Sequence, residues 1–235
     1  MTERDDGAIV VEGWSPRPAP TGASLAGRTI ELETFDRDRH ASALFDAICG
    51  DVHEDLWTFI PIGPFDSPEA LGDAFAGMNA LGEWVTYVGR APGSDRLLGT
   101  ASLMANRGAH GVSEVGCVIY APELKRTTAA TELQYLLAHH VFDDLGYRRY
   151  EWKCDARNAA SRRAAERLGF TFEGVFRQHM VVKGVNRDTA WFSMTDAEWP
   201  GIRAAFEAWL APDNFDAGAR PQRPLAELRV EIGAI

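Results

Sequence analysis

The sequence predicts an α/β protein built on a single mixed β-sheet. Strand-like runs joined by short turns alternate with runs joined by helices, so both antiparallel and parallel strand pairs are expected. The 235 residues are 46% apolar and 25% charged, an ordinary globular composition that allows a buried core without a metal or a disulfide. No internal repeat and no linker divides the chain into two.

Caps and apolar spacing predict the elements of the first half. Residues 1–25 are rich in proline and glycine and form an irregular N-terminal arm with a short strand within Ile9–Trp14. A strand over 27–35 leads into a helix that Asp36 caps, and Ser67-Pro68 starts a second helix. Three strand-like runs follow, at 84–90, 97–104 and 112–120.

The second half alternates helices with strands. Apolar side chains at helical spacing predict a helix over 126–145, which Gly146 closes. The further elements are a strand at 147–154, a helix at 158–168, strands at 170–182 and 186–195, and a last helix from Asp196 to Leu210. The main domain is thus expected at 26–211, followed by an irregular tail over 212–235 with one strand at Leu228–Ile232.

The charge and the cysteine count exclude several classes of protein. The chain has 24 Lys and Arg against 34 Asp and Glu, and its net charge of −10 argues against general nucleic-acid binding. No apolar run of about 18 residues could span a membrane, and the acidic N-terminus is unlike a signal peptide. Three scattered cysteines favour a reducing, cytoplasmic compartment, and no His/Cys cluster predicts a metal site.

The basic residues concentrate around one strand-to-helix junction. Residues 120–190 hold 12 basic and 9 acidic side chains, so this segment is positive within an acidic chain. The strand Val115–Tyr120 leads through Lys125 and Arg126 to a helix start at Thr127–Ala130, where unpaired backbone N–H groups could cradle phosphates. The alternative is an ordinary helix start with a threonine cap and two solvated cations.

Further motifs follow this junction in a fixed order. They are Glu114-x-Gly116, Lys125–Glu132, Leu145-Gly146-Tyr147-Arg148-Arg149, Asn158-x-x-Ser161, Glu166-Arg167-Leu168-Gly169-Phe170, and Phe172-Glu173-Gly174 before Phe176-Arg177. The ordered set resembles the GNAT superfamily of acyl-CoA-dependent N-acetyltransferases over about residues 25–200, most closely the ribosomal-protein N-terminal (RimJ/RimL-type) branch. The resemblance implies the GNAT fold: a mostly antiparallel sheet of six to seven strands, splayed between the fourth and fifth strands and flanked by helices.

The same resemblance implies the donor and its binding residues. The donor is acetyl-CoA, whose pantetheine lies between the strands at 115–120 and 150–154, and a primary amine attacks its thioester directly. A backbone N–H near Cys117–Val118 is implied as the donor to the oxyanion. The implied cofactor contacts are Cys117, Val118, Tyr120, Lys125, Arg126, Thr127, Thr128, Ala129, Ala130, Asn158 and Ser161. For Asn158, a plain helix N-cap is an equal alternative.

Two positions depart from the pattern of the family. Thr128 stands where the phosphate loop usually has glycine, so the loop must use ordinary helical dihedrals or bind the phosphates differently. Ala165 stands where many members carry a tyrosine that protonates the leaving thiolate. Ser161 is the better candidate for that proton donor, because the RimL-type branch has a serine at this point.

The acceptor side offers two candidate bases and three aromatic residues. Glu114 ranks ahead as the base that deprotonates the amine, and His179 ranks ahead as a contact to the acceptor. An exposed strand position for Glu114 and a structural role for His179 are the alternatives. Trp57, Phe59 and Phe65 are expected to wall the acceptor pocket, with core packing as their alternative.

The leading hypothesis is therefore an N-acetyltransferase that acts on a primary amine. The acidic remainder of the chain favours a cationic acceptor, such as a protein N-terminus, a basic peptide or a small-molecule amine. The alternative is a catalytically weak acyl-CoA-binding sensor or assembly module, which Ala165 and Thr128 keep open. The sequence is compatible with a homodimer and does not decide the oligomeric state.

Overall fold

A mixed eight-stranded sheet lies at the centre of a computed structural model, which describes residues 2–3, 6–82 and 84–233. The strands, including a separate N-terminal pair (β1 and β2), are β1 Thr2–Glu3, β2 Ile9–Val10, β3 Leu25–Ala26, β4 Glu31–Thr34, β5 Trp84–Arg90, β6 Leu97–Arg107, β7 Val112–Tyr120, β8 Arg149–Asp155, β9 Thr171–Val182 and β10 Val185–Thr195. The main sheet has the order β3-β4-β5-β6-β7-β8-β10-β9. Among these neighbours only β7 and β8 run parallel.

Helices cover both faces of this sheet. They are α1 Arg37–Ile48, α2 Pro68–Ala80, α3 Thr128–His139, α4 Ala159–Leu168, α5 Trp199–Leu210 and α6 Leu225–Ile232, and a π-helical turn at His140–Asp144 prolongs α3. The predicted mixed, mostly antiparallel sheet with flanking helices is confirmed; the count rises to eight because the two-residue β3 pairs with β4. None of the helices in the described part of the chain has the length and apolar character that a membrane span requires.

Two apolar clusters pack on opposite faces of the sheet. Neighbouring residues on β5 show the division, since Tyr87 belongs to one cluster and Val88 to the other. The larger cluster contains side chains of α3, α4 and α5 with the fully buried Phe192. The smaller one holds α1 and α2 against the sheet together with Trp57. The strands between them are thus fixed from both sides.

Three helix starts match the caps that the sequence predicted. The Asp36 carboxylate accepts from the backbone N–H of Arg39 (2.9 Å), and the Ser67 hydroxyl accepts from that of Ala70 (3.2 Å). Asn158 caps α4 in the same way. Such caps are local interactions between residues three apart, so the sequence alone can reveal them.

Two predictions near the C-terminus are wrong. Asp196 does not cap α5; the helix begins at Trp199 with Glu198 in the cap position, and Pro200 occupies its first turn. The predicted strand at Leu228–Ile232 is instead part of the helix α6, because Leu225 and Leu228 lie three residues apart and both enter the larger core cluster.

The N-terminal arm is hydrogen-bonded to the turn between β6 and β7. The backbone N–H of Arg17 donates to the carbonyl of Gly108 (2.9 Å), and the Trp14 indole donates to the carbonyl of Ala109 (3.0 Å). The hydroxyl of the buried Tyr147 reaches the carbonyl of Pro18 at 2.9 Å. The strand expected within Ile9–Trp14 is shorter than predicted and spans only β2.

Candidate active site

The strands β7 and β8 separate halfway along their length. They pair from Val112 with Arg149 to Val115 with Trp152, and no described residue of β8 pairs with β7 beyond that point. A β-bulge on β7 lies at the separation, where Cys117 adopts a left-handed φ of 47°. The result is a wedge between β7 and β8, at the position where the sequence predicted a splay between the fourth and fifth strands.

The loop after β7 brings the start of α3 to the open end of this wedge. The Thr127 hydroxyl accepts from the backbone N–H of Ala130 (3.1 Å) and caps the helix. Thr128 and Ala129 stand at the first two helical positions, whose N–H groups have no partner inside a helix. Thr128 therefore needs no glycine-like conformation; the left-handed residue of the loop is Arg126, with a φ of 62°.

The first turn of α4 lies beside the core-facing side of β8. The Asn158 side-chain oxygen caps this helix by accepting from the N–H of Ser161 (3.0 Å), which leaves the amide NH₂ group of Asn158 available as a donor. The Ser161 hydroxyl accepts from the indole N–H of Trp152 (2.9 Å), and it also lies within hydrogen-bonding reach of the buried Cys154 thiol. Ala165 is fully buried in the core.

The opposite side of β8 carries a charged face, formed by Glu114, Glu151, Lys153 and Asp155. The Lys153 ammonium lies 2.8 Å from Glu114 Oε2 and 2.9 Å from Glu151 Oε2. All four side chains are mostly buried, and Asp155 is paired with the exposed Arg157 at 2.7 Å. The face is therefore a network of ion pairs held between the strands.

Glu114 and Glu151 share Lys153 but differ in their acidity. Burial raises the pKa of Glu114, and the ion pair with Lys153 offsets that effect only in part. Burial also opposes ionisation of Glu151, but hydrogen bonds from Arg149 and Lys153 outweigh it and hold the pKa of Glu151 below its usual range. Glu114 is thus the member of the pair that more readily takes up a proton.

His179 reaches the same face through aromatic contacts. A bulge in β9, with Gln178 at a φ of 51°, turns the His179 ring toward β10, where its Nδ1 lies 2.9 Å from the hydroxyl of Thr189. The ring centroids of His179 and Trp191 are 6.0 Å apart, and the Lys153 ammonium stands 4.0 Å over Trp191. Glu114 and His179 therefore lie on one face, whereas Ser161 lies across β8 from them.

The predicted aromatic wall differs from the expectation at Trp57. Its ring is fully buried in the smaller core cluster, its indole N–H donates to the carbonyl of Ile48 (2.7 Å), and Phe65 packs edge-on against it at 5.4 Å. Phe59 and Phe65 are half-buried. The backbone of Trp57, by contrast, meets the β9–β10 hairpin, since its carbonyl accepts from Lys183 at 3.0 Å.

An open cleft lies between this loop and the β9–β10 hairpin. Its volume is ≈ 500 Å³, and its lining residues are Glu54, Asp55, Trp57, Thr58, Pro64 and Lys183. Two carboxylates on its rim give it a negative edge. Within the described part of the chain, no group of three His, Cys, Asp or Glu side chains is arranged to hold a metal ion.

Sequence reasoning missed the three side chains that connect the site: Glu151, Lys153 and Trp191. A signal for the first two was present, because charged residues at 151, 153 and 155 alternate with the apolar Trp152 and Cys154. This alternation predicts a strand with one charged face. No such local pattern indicates Trp191, whose role depends on pairing between β8 and β10.

Comparisons with known proteins identify the family to which this chain is similar. Residues 29–171 match the acetyltransferase (GNAT) domain. The crystal structure of a GCN5-related N-acetyltransferase from Brucella melitensis is 41% identical, with a TM-score of 0.89 over 94% of this chain and 100% of that chain. A probable acetyltransferase of the GNAT family from Chromobacterium violaceum is also 41% identical, with a TM-score of 0.78 over 85% of this chain and 100% of that one.

A more distant structure is similar in fold alone. RimJ from Mycobacterium smegmatis, solved in complex with CoA-disulfide, is 21% identical and has a TM-score of 0.67 over 81% of this chain and 94% of its own. No curated protein sequence matches the chain.

Proposed function

The chain belongs to the GNAT acetyltransferases, enzymes that use acetyl-CoA, and we propose that it acetylates a primary amine by direct attack of that amine on the thioester. The single observation that carries this proposal is the wedge between β7 and β8, with the start of α3 at its open end. Each chemical requirement of the reaction can be matched to a group of this chain at that wedge.

The residues at the wedge fit the donor. Beyond Val115 the backbone of β7 has no partner in β8, which leaves its N–H and C=O groups for a pantetheine arm from Gly116 to Tyr120. The amide of Asn158 and the N–H groups of Thr128 and Ala129 are further donors, and Lys125 and Arg126 are exposed cations beside the phosphate end. Acetyl-CoA supplies the activated acyl group.

Glu114 would serve as the base. Its raised pKa suits a carboxylate that must accept a proton from an ammonium group, directly or through water. Taking up that proton leaves the network intact, because Lys153 stays paired with Glu151 at 2.9 Å. His179, on the same face, would contact the acceptor and orient it toward Glu114.

The reaction also requires a donor to the developing oxyanion and a proton for the leaving thiolate. The bulge at Cys117 turns backbone N–H groups out of the sheet ladder, and one at Cys117–Val118 would stabilise negative charge on the thioester oxygen. The Ser161 hydroxyl, whose oxygen already accepts from Trp152, would donate its proton to the leaving sulfur.

The acceptor side supports a cationic amine. Glu54 and Asp55 border the cleft between the loop of Trp57 and the β9–β10 hairpin, where their negative charge would attract an ammonium group. A protein N-terminus, a peptide or a small-molecule amine fits this open cleft. The three cysteines are free thiols, which supports a reducing, cytoplasmic location.

Thiol release from acetyl-CoA against a panel of amines tests the proposal, with CoA binding measured in parallel by calorimetry. We expect binding and amine-dependent release of CoA. CoA binding without turnover on any amine would favour an acyl-CoA sensor instead. Failure to bind CoA at all would contradict the role given to the wedge.

A further inference from the structure

Arg187 is a buried cation that has no hydrogen-bond or ion-pair partner among the described residues. It lies on β10 two residues before Thr189, so strand alternation places its side chain on the charged face. The residue is only 9% exposed, and its Nε is sealed from solvent without a hydrogen bond. No described residue forms a hydrogen bond or an ion pair with its guanidinium group.

The carboxylates around Arg187 are already engaged by other cations. Glu114 and Glu151 share Lys153, and Glu151 also pairs with Arg107 and Arg149, each at 2.8 Å. Asp155 accepts two hydrogen bonds from the Arg157 guanidinium, at 3.0 and 2.7 Å. Arg187 therefore adds a positive charge to a face on which the acidic groups are neutralised. A buried charge without a counter-ion is costly, and such groups are normally paired.

The position of Arg187 connects it to the reacting centre. Its charge contributes to lowering the pKa of both Glu114 and Asp155, so the guanidinium stands within electrostatic reach of the proposed base. Thr189, the next residue on this face, binds the ring of His179. An acceptor that places its amine at Glu114 would have a neighbouring group near Arg187.

The chemistry of that group follows from the charges. A guanidinium pairs best with a planar anion that can accept two parallel hydrogen bonds. Glu114 and Asp155 disfavour a dianion such as a phosphate, because they would repel its second charge. We propose, building on the proposed function, that Arg187 binds a carboxylate of the acceptor, which thus carries both a primary amine and a carboxylate.

Matched acceptors test this specificity. Thiol release is measured with an amino acid, with its C-terminal amide and with the corresponding amine that lacks the carboxyl group. For the unmodified enzyme we expect kcat/KM to favour the amino acid by roughly 10- to 100-fold. In Arg187→Gln the three acceptors should become equal within a few-fold, mainly through a higher KM for the amino acid.

Arg203→Gln is the matched control, because Arg203 lies on α5, which packs on the opposite face of the sheet, and is already paired with Glu207 at 2.8 Å. It should keep the preference. Arg187→Lys keeps the charge but loses the two-pronged geometry of the guanidinium, so it should keep part of the preference for the amino acid. This variant also serves as a check on a folding defect in Arg187→Gln. If Arg187→Gln lowers kcat/KM equally for all three acceptors, the inference is wrong while amine acetylation stands.

Binding of the product gives a readout that does not depend on turnover. An N-acetylated amino acid should raise the melting temperature of the unmodified enzyme and of Arg203→Gln, but not that of Arg187→Gln. An equal shift in all three proteins would overturn the carboxylate site. Absence of thiol release with every amine would contradict the proposed function itself and, with it, this inference.

Discussion

Two buried glutamates differ in the number of hydrogen bonds that they accept: Glu132 lies beneath the β3–β4 turn, and Glu114 lies at the wedge between β7 and β8. Glu132 on α3 accepts from the backbone N–H of Arg28 (2.8 Å), from that of Thr29 (2.6 Å) and from the Thr29 hydroxyl. Glu114 has one partner among the described residues, Lys153 at 2.8 Å. A fully satisfied carboxylate fixes a turn, whereas a carboxylate with spare acceptor capacity can take a proton.

The largest expected effect on stability is at the satisfied glutamate. In Glu132→Gln the new NH₂ group faces backbone donors, so charge-assisted hydrogen bonds are lost and the free energy of unfolding should fall by about 2–3 kcal/mol. Urea unfolding measures this loss, and kcat of the folded enzyme should stay within twofold. The exposed Glu166 on α4 is the control, and Glu166→Gln should change stability by less than about 0.5 kcal/mol. A fall in kcat of Glu132→Gln without a loss of stability would contradict the structural role given to Glu132.

Ser161 tests the chemical side of the wedge. Ser161→Ala should lower kcat by roughly 10- to 100-fold, because the leaving sulfur loses its proton donor, and Trp152 loses a hydrogen-bond acceptor worth about 1 kcal/mol. Steady-state kinetics with two acetyl thioesters measures the defect, which should shrink when the thiol is more acidic. An equal defect with both thioesters would contradict proton donation by Ser161.

The smallest expected effect compares two helix caps. Thr127→Ala and Ser67→Ala each remove one cap hydrogen bond, of 3.1 and 3.2 Å, and each should cost about 1 kcal/mol of stability. Only the cap of α3 lies at the wedge, so only Thr127→Ala should weaken CoA binding, by about fivefold. Calorimetric titration with CoA measures the affinity. Equal affinities of the two variants would show that the phosphates of CoA do not bind at the start of α3.

The sequence predicted what local chemistry determines. The caps at Asp36, Ser67 and Asn158 are bonds between residues three apart, and the loop before α3 follows from its threonine cap. The order of strands and the splay came from a resemblance to a family. Both kinds of inference depend on short-range pattern or on the order of motifs, which a single sequence contains.

Predictions that depended on distant packing were less accurate. The ring of Trp57 sits in a loop bounded by proline and glycine, yet Ile48 and Phe65 enclose it. The segment 225–232 is helical because its leucines enter the larger core cluster, a contact that the sequence does not reveal. No described residue pairs with Arg187, and this likewise depends on which carboxylates are already paired with other cations.

The most direct test of the account is the pH profile of Glu114→Gln. The fold should persist, because Lys153 keeps its ion pair with Glu151. In the unmodified enzyme, log(kcat/KM) should stay level where the acceptor is an ammonium group and Glu114 is ionised, and should fall with slope one below the raised pKa of Glu114, where the base is protonated. The glutamine variant should be slower by roughly 100-fold at neutral pH and lose the level region, falling with slope one from the pKa of the amine downward because only neutral amine reacts, with CoA affinity unchanged. A variant that retains the level region, or the full rate, would show that Glu114 is not the base.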